Sequence, residues 1–169
     1  MDGNGELFAI DPGTFESAYV WMVGSKVDQA GKIKNHELRD IVSTVASRCP
    51  KMQFAIEMVA CYGRPVGEEV FETCLWIGRF IEAIGDESRV AKITRAKVKM
   101  NLCHATAKVT DSHIRQALID RYGPGKDVAI GNKKSPGPLY ELKKDMWSAL
   151  AVGVTYSDML DRERERLSV

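Results

Sequence analysis

Leu7-Phe8-Ala9-Ile10-Asp11-Pro12-Gly13-Thr14 is the stretch on which the fold turns. Four apolar residues end in an aspartate, and Pro12-Gly13 then forces the chain to bend. The segment therefore reads as a buried strand with a carboxylate at its C-terminal end. Ser17 to Val23 (SAYVWMV), rich in aromatic and β-branched residues, reads as its hairpin partner. Gly24 to Gly31 supplies turn residues, and a third, more polar strand is expected near Lys32 to Glu37.

Further along, Leu38, Ile41, Val42 and Val45 fall at i, i+3, i+4 and i+7, which predicts an amphipathic helix from Leu38 to Arg48 that stops before Pro50. Phe54-Ala55-Ile56 repeats the opening pattern, an apolar strand that delivers an acid, here Glu57. A helix from about Gly67 to Ile84 follows, with Glu68, Glu69 and Glu72 in its first turns and Gly85 as its stop. Arg89 to Cys103 reads as one long or two short strands with Arg89, Lys92, Arg95, Lys97 and Lys99 facing outward. Asp111 to Tyr122 reads as a helix, Gly123 to Tyr140 as a mobile basic loop, and about Lys144 to Arg164 as a final helix buried only in its first part. The order β-β-β-α-β-α-β-α-α implies one α/β domain over residues 1–169, a mixed central sheet flanked by helices.

A chain of 169 residues with 44% hydrophobic content can bury one real core. It has no run of about 18 apolar residues and no basic, apolar leader at its start, so a soluble, cytoplasmic protein with no membrane partner is expected. Cys49, Cys61, Cys74 and Cys103 lack metal or disulfide spacing and read as reduced, mostly buried thiols. The net charge of +1 hides a division. Residues 1–88 hold 8 Lys and Arg against 14 Asp and Glu, a net of −6, whereas residues 89–144 hold 13 against 4, a net of +9. One positive face is what a phosphate-backbone binder presents.

Asp11, Glu57 and Asp145 sit beside apolar core segments, where a carboxylate costs desolvation energy unless a positive charge compensates it. A divalent metal is the usual compensation. Neighbouring strands lie about 4.8 Å apart, so two strand-end acids and one from a crossing helix can ring a pair of Mg²⁺ ions. Hard oxygen ligands favour Mg²⁺, with Mn²⁺ able to substitute.

Phe8 to Thr14, Phe54 to Glu57, and Asp145-Met146-Trp147-Ser148-Ala149-Leu150-Ala151-Val152 together resemble the three acidic motifs of the RuvC group of Holliday junction resolvases, in that family's order. Lys99 to Arg121 also resembles the stretch after the fifth strand in small resolvases of this type, including those of bacterial viruses. The resemblance implies a ribonuclease H-like fold and a Mg²⁺-dependent endonuclease that resolves four-way or other branched DNA in recombination and repair. It also implies 5′ phosphate and 3′ hydroxyl products, action as a homodimer, and a host cytoplasm if phage-encoded. It assigns metal ligation to Asp11, Glu57 and Asp145, and a place near the scissile phosphate to Lys108. Arg95, Lys97, Lys99 and Arg115 would grip the backbone, with Lys126, Lys133 and Lys134 on the basic arm. The family commonly has a second acid three residues after the first on its last helix, where this chain has Ser148; either three carboxylates suffice or Asp111, otherwise a helix N-cap, completes the site. His104 could lie near it.

Two alternatives stand beside this reading. One is a catalytically degenerate module that only binds branched nucleic acid, which Ser148 keeps open. The other is an actin-like or sugar-kinase-type phosphate-binding protein, because Asp11-Pro12-Gly13-Thr14 also resembles their first phosphate hairpin; those folds need two domains. The helix Glu68 to Ile84, with Phe71, Leu75, Trp76 and Phe80 in excess of one buried stripe, is the candidate dimer face.

Overall fold

The computed structural model describes residues 5–61, 63 and 65–168. A five-stranded sheet has the order β3-β2-β1-β4-β5. Its strands are β1 (Glu6–Asp11), β2 (Glu16–Val23), β3 (Lys26–Lys34), β4 (Gln53–Met58) and β5 (Val90–Thr94). The first three form an antiparallel meander, and β4 and β5 join β1 in parallel. The strands alternate as a sheet buried on both faces demands. Phe8, Ile10, Phe54 and Ile56 pack against α1 (Asn35–Arg48) and α2 (Glu68–Ile84). Leu7, Ala9, Ala18 and Ala55 pack on the other face, against α3 (Arg95–Cys103), α4 (Asp111–Tyr122) and α6 (Met146–Leu167). The mixed α/β architecture expected from the sequence is present.

Five local expectations are corrected. β3 starts and ends earlier than expected, because the β2–β3 turn is tight and Asn35 already opens α1. Only Val90–Thr94 of the expected long strand is β; Thr94 then caps α3, its hydroxyl accepting from the Lys97 amide at 3.4 Å. Arg89 does not face outward. Its guanidinium is largely buried and donates to the carbonyls of Ala46, Cys49 and Ile84, tying the ends of α1 and α2 together. The region expected to be a mobile loop contains a short helix, α5 (Lys126–Ala129), and a hairpin of β6 (Gly131–Asn132) and β7 (Ser135–Pro136). It is anchored by buried Ala129 and Leu139, the Leu139 amide donating to the Ala129 carbonyl at 2.8 Å. None of the four cysteines is buried: Cys61 and Cys74 are exposed, Cys49 and Cys103 half-buried.

α6 fixes the geometry of the face that matters. Its residues from Trp147 to Thr155 are buried except Ser148, and its contact surface is made of small side chains. A methyl group at Gly153 would stand 2.8 Å from the Met22 sulfur and 3.0 Å from the Ala9 Cβ, so glycine is what lets the helix lie close on β1 and β2. The C-terminal turns, from Asp161 on, are exposed. No helix among the described residues is long and apolar enough to cross a membrane.

Candidate active site

Parallel register brings two of the expected acids together. Ile10 stands opposite Ile56, so Asp11 and Glu57, one residue on, lie side by side where β1 and β4 run out, on the face that α6 covers. Across the antiparallel pairs, Asp11 faces Ala18 and Ala18 faces Lys32. One row of the sheet thus carries Glu57, Asp11, Ala18 and Lys32, with only a methyl group between the second acid and the lysine.

The turn after Asp11 is held by buried polar groups. The Gly13 amide donates to the Ser17 hydroxyl at 3.0 Å, which donates to Asn35 Oδ1 at 2.6 Å, and Asn35 Nδ2 returns to the Gly13 carbonyl at 2.8 Å. Ser17 and Asn35 are each 1% exposed, so the bond between them is shielded from water. Gly13 is required there because a Cβ would sit 2.3 Å from the Glu16 carbonyl oxygen.

Burial, then the charges of Glu57 and Asp145, push the Asp11 carboxyl up to about 8, with Arg95 pulling the other way. Glu57 is also raised, chiefly by burial and against the pull of Arg95. The two carboxyl groups are close enough to act on one another, and the neighbouring Glu57 adds to the rise at Asp11.

Asp145 sits at the N-terminal cap position of α6, close enough to Asp11 for its charge to be felt. Its carboxylate, half exposed, accepts from Lys32 Nζ at 2.5 Å, and that bond holds the Lys32 ammonium above its usual value. Arg95 opens α3 just beyond β5, with Nη1 3.7 Å from Glu57 Oε2 and Nη2 bonded to Asp111. The buried Nη1 has no hydrogen-bond partner. Arg95 is therefore turned into the acidic cluster, not out towards solvent as expected. Asp111 is the first residue of α4 and not its cap; Thr110 and the His113 ring form the capping box. Among the described residues, no three His, Cys, Asp or Glu side chains converge as a metal-holding group. Lys32 and Arg95 occupy the acids instead.

Beside the acids lies a cleft of about 610 Å³ lined by Arg95, Asp111, Arg115, Lys144, Asp145 and Ser148. Arg115 lies over the Trp147 ring at 4.6 Å, leaving its outer face to the cleft. Lys108 is exposed in the α3–α4 loop with a left-handed backbone (φ 60°), three residues before Asp111. His104 ends α3, also left-handed and exposed. Lys97 faces a groove with Thr155, Met159 and Arg162, ten or more residues down α6 from Asp145, and Lys99 is half-buried on α3. Lys126 is exposed on α5, and Lys133 and Lys134 form the exposed tip of the β6–β7 hairpin.

No protein-family model matches the sequence, and no curated protein matches it. Solved structures do. Thermus thermophilus RuvC in complex with a Holliday junction substrate aligns with a TM-score of 0.66 and 15% identity, covering 90% of this chain and 93% of that one. A second T. thermophilus RuvC structure aligns at 0.64 and 15%, covering 91% and 96%.

The chain has the RuvC fold. This is the ribonuclease H-like arrangement expected from the three acidic motifs. The likeness to RuvC runs over nearly the full length of both chains. Sequence reading misses three residues of the site: Lys32, Ser17 and Asn35. In sequence Lys32 reads only as the start of a polar strand; its place in the row through Ala18 depends on the antiparallel register of β2 and β3.

Proposed function

We propose that this chain is a metal-dependent, structure-selective endonuclease that hydrolyses phosphodiester bonds in branched DNA, four-way junctions foremost. The observation that carries this reading is the half-buried Asp11–Glu57 carboxyl pair at adjacent strand ends with Asp145 beside it, in a fold shared with a protein solved on a Holliday junction. The donor set fits Mg²⁺ or Mn²⁺. All its atoms are carboxylate oxygens, the hard donors such cations take, with Lys32 and Arg95 standing on them as counter-ions.

Asp11, Glu57 and Asp145 would hold the metal, with Asp111, near enough to Glu57 to raise it, the candidate fourth acid in place of Ser148. When bound, divalent magnesium supplies charge stabilisation at the phosphate and lowers the pKa of the attacking water. The chain's own groups do the rest. The cleft edge with Arg115, Lys143 and Lys144 receives the phosphate backbone, and Lys108 approaches the scissile phosphate from the α3–α4 loop. Water attacks phosphorus and the P–O3′ bond breaks, leaving a 5′ phosphate and a 3′ hydroxyl that takes its proton from solvent. Two related sites, in a homodimer, would give paired nicks across a junction. Phe71 and Leu75 on α2, 60% and 55% exposed, supply an apolar face for the second copy.

The ion pair between Lys32 and Asp145, together with Ser148, favours a second reading: a module that binds junctions without cutting them. A cleavage panel of four-way junction, fork, duplex and single strand with Mg²⁺ or Mn²⁺ separates the two. Paired symmetric nicks in the junction are expected; binding without cleavage in either metal would establish the binding module.

A further inference from the structure

We propose that Lys32 is a displaceable counter-ion, a positioning residue that holds Asp145 while the site is free of metal and releases it when a divalent cation enters. This deepens the metal-dependent reading above and rests on it. Lys32 lies two strands from Asp11 in the same row of the sheet, separated by Ala18, whose methyl is too short to block a side chain reaching along the row. Its ammonium can therefore extend over that row to reach the start of α6, where it meets Asp145 Oδ2 at 2.5 Å. The groups whose charges bear on it are Asp145, Glu16 and Asp11, all acids, so the ammonium stands on the rim of the cluster that a cation would enter.

The exchange is physically cheap. The pair is open to water, with the Lys32 side chain 32% exposed and that of Asp145 50% exposed, and such ion pairs are worth little. A divalent cation has twice the charge and needs the same oxygens. Asp145 can thus be given up without stranding a buried charge. The lysine, once freed, remains tethered by β3 next to the phosphate-binding cleft. Arg95 differs: its side chain is 24% exposed and it contacts two acids at once.

Mg²⁺ titrated calorimetrically into metal-free protein without DNA tests the exchange. Lys32→Gln should bind Mg²⁺ roughly fivefold more tightly than the wild type, the upper end of what an exposed ion pair contributes. Lys32→Arg, which keeps a cation in reach, should stay within about twofold of the wild type on the same grounds. A general charge effect would give the same ranking, so a second readout follows displacement itself. Acetylation of Lys32 by acetic anhydride, read by mass spectrometry, should accelerate relative to the other lysines when Mg²⁺ saturates the protein. Unchanged or weaker binding by Lys32→Gln, or a Lys32 acetylation rate indifferent to Mg²⁺, overturns the proposal while leaving the metal site standing. If neither the wild type nor Lys32→Gln binds Mg²⁺ or Mn²⁺, the exchange and the metal-dependent reading fall together.

Discussion

α6 touches an ionic cluster at each end of its buried stretch, and the two are built on opposite principles. Thirteen residues beyond Asp145, about 20 Å along the helix, Asp158 accepts from Arg121 through both carboxylate oxygens, at 2.5 and 2.8 Å, and from Asn101 at 2.7 Å. Arg162 in turn donates to Asn101 at 2.9 Å. Every oxygen has a donor, the charges match, and the cluster ties α3, α4 and α6 together. At the other end, among the described residues, Glu57, Asp111 and Asp145 are ion-paired with Lys32 and Arg95 alone, and burial beside like charge pushes the Asp11 carboxyl up. Carboxylates that hold a fold together are matched by it. Those under-matched at two strand ends leave a charge deficit for something from solution to fill.

The largest expected effect comes from removing that deficit. Asp11→Asn should lower junction cleavage on the order of a thousandfold in single-turnover assays, as expected for losing a metal-ligating charge worth several kcal/mol, while junction binding persists. The same substitution should alter stability in the opposite sense. Asp11 titrates near 3.8 when unfolded and at about 8 in the folded protein, so the native state holds its proton more tightly. That contribution is complete below about pH 4 and is lost as the pH rises towards 8. Metal-free wild type should therefore melt at falling temperature from pH 5 to pH 8 relative to Asp11→Asn, whose profile should be flatter. Parallel melting curves for the two proteins would contradict the charge deficit directly.

The matched cluster should behave in reverse. Asp158→Ala removes the acceptor for Arg121 and Asn101 and should cost about 1–2 kcal/mol in urea unfolding, less than a fully buried pair because the Arg121 side chain is 44% exposed. Cleavage per folded molecule should be unchanged. A fall in cleavage rate without loss of stability would mean that this end of α6 also takes part in the reaction.

The two acidic strand ends were legible because a short apolar run broken by an acid and a turn is a local pattern, seen in Phe8 to Gly13 and again in Phe54 to Glu57. What the sequence hid was set by distant partners. Arg95 to Cys103 alternates basic and apolar residues as a strand would, and only Thr94 as a cap, with Val98 buried against the core, marks it as a helix. Arg89 reads as a surface charge until the ends of α1 and α2 converge on it. Gly123 to Tyr140 has no period, because its order comes from close backbone approach: a Cβ on Gly137 would stand 2.3 Å from the Val128 carbonyl oxygen. The partners of Asp145 and Glu57 were hidden for the same reason. Lys32 is 113 positions from Asp145, and Arg95 opens a helix two elements beyond the one that follows Glu57. Charge neutralisation across a sheet leaves no mark in local spacing.

A third kind of charge, cations with no acid, sharpens the contrast and predicts the smallest effect. Lys133 and Lys134 sit at the tip of the β6–β7 hairpin and pair with no acid among the described residues, so their charge is free for phosphate. Lys97 also has no acid partner among the described residues, but it faces the groove beside Thr155 and Arg162, away from the acidic cleft. Replacing both hairpin lysines with alanine should weaken junction binding several-fold and make the slope of log affinity against log salt shallower by close to 2, about 0.9 for each phosphate that is no longer neutralised. Cleavage at saturating DNA should be unaltered, because neither side chain lines the acidic site. Lys97→Ala should leave the salt slope unchanged. Equal slope changes from Lys97 and from the hairpin would mean that DNA runs along α3 and down α6 instead of across the hairpin, and would move the positive face to the other side of the molecule.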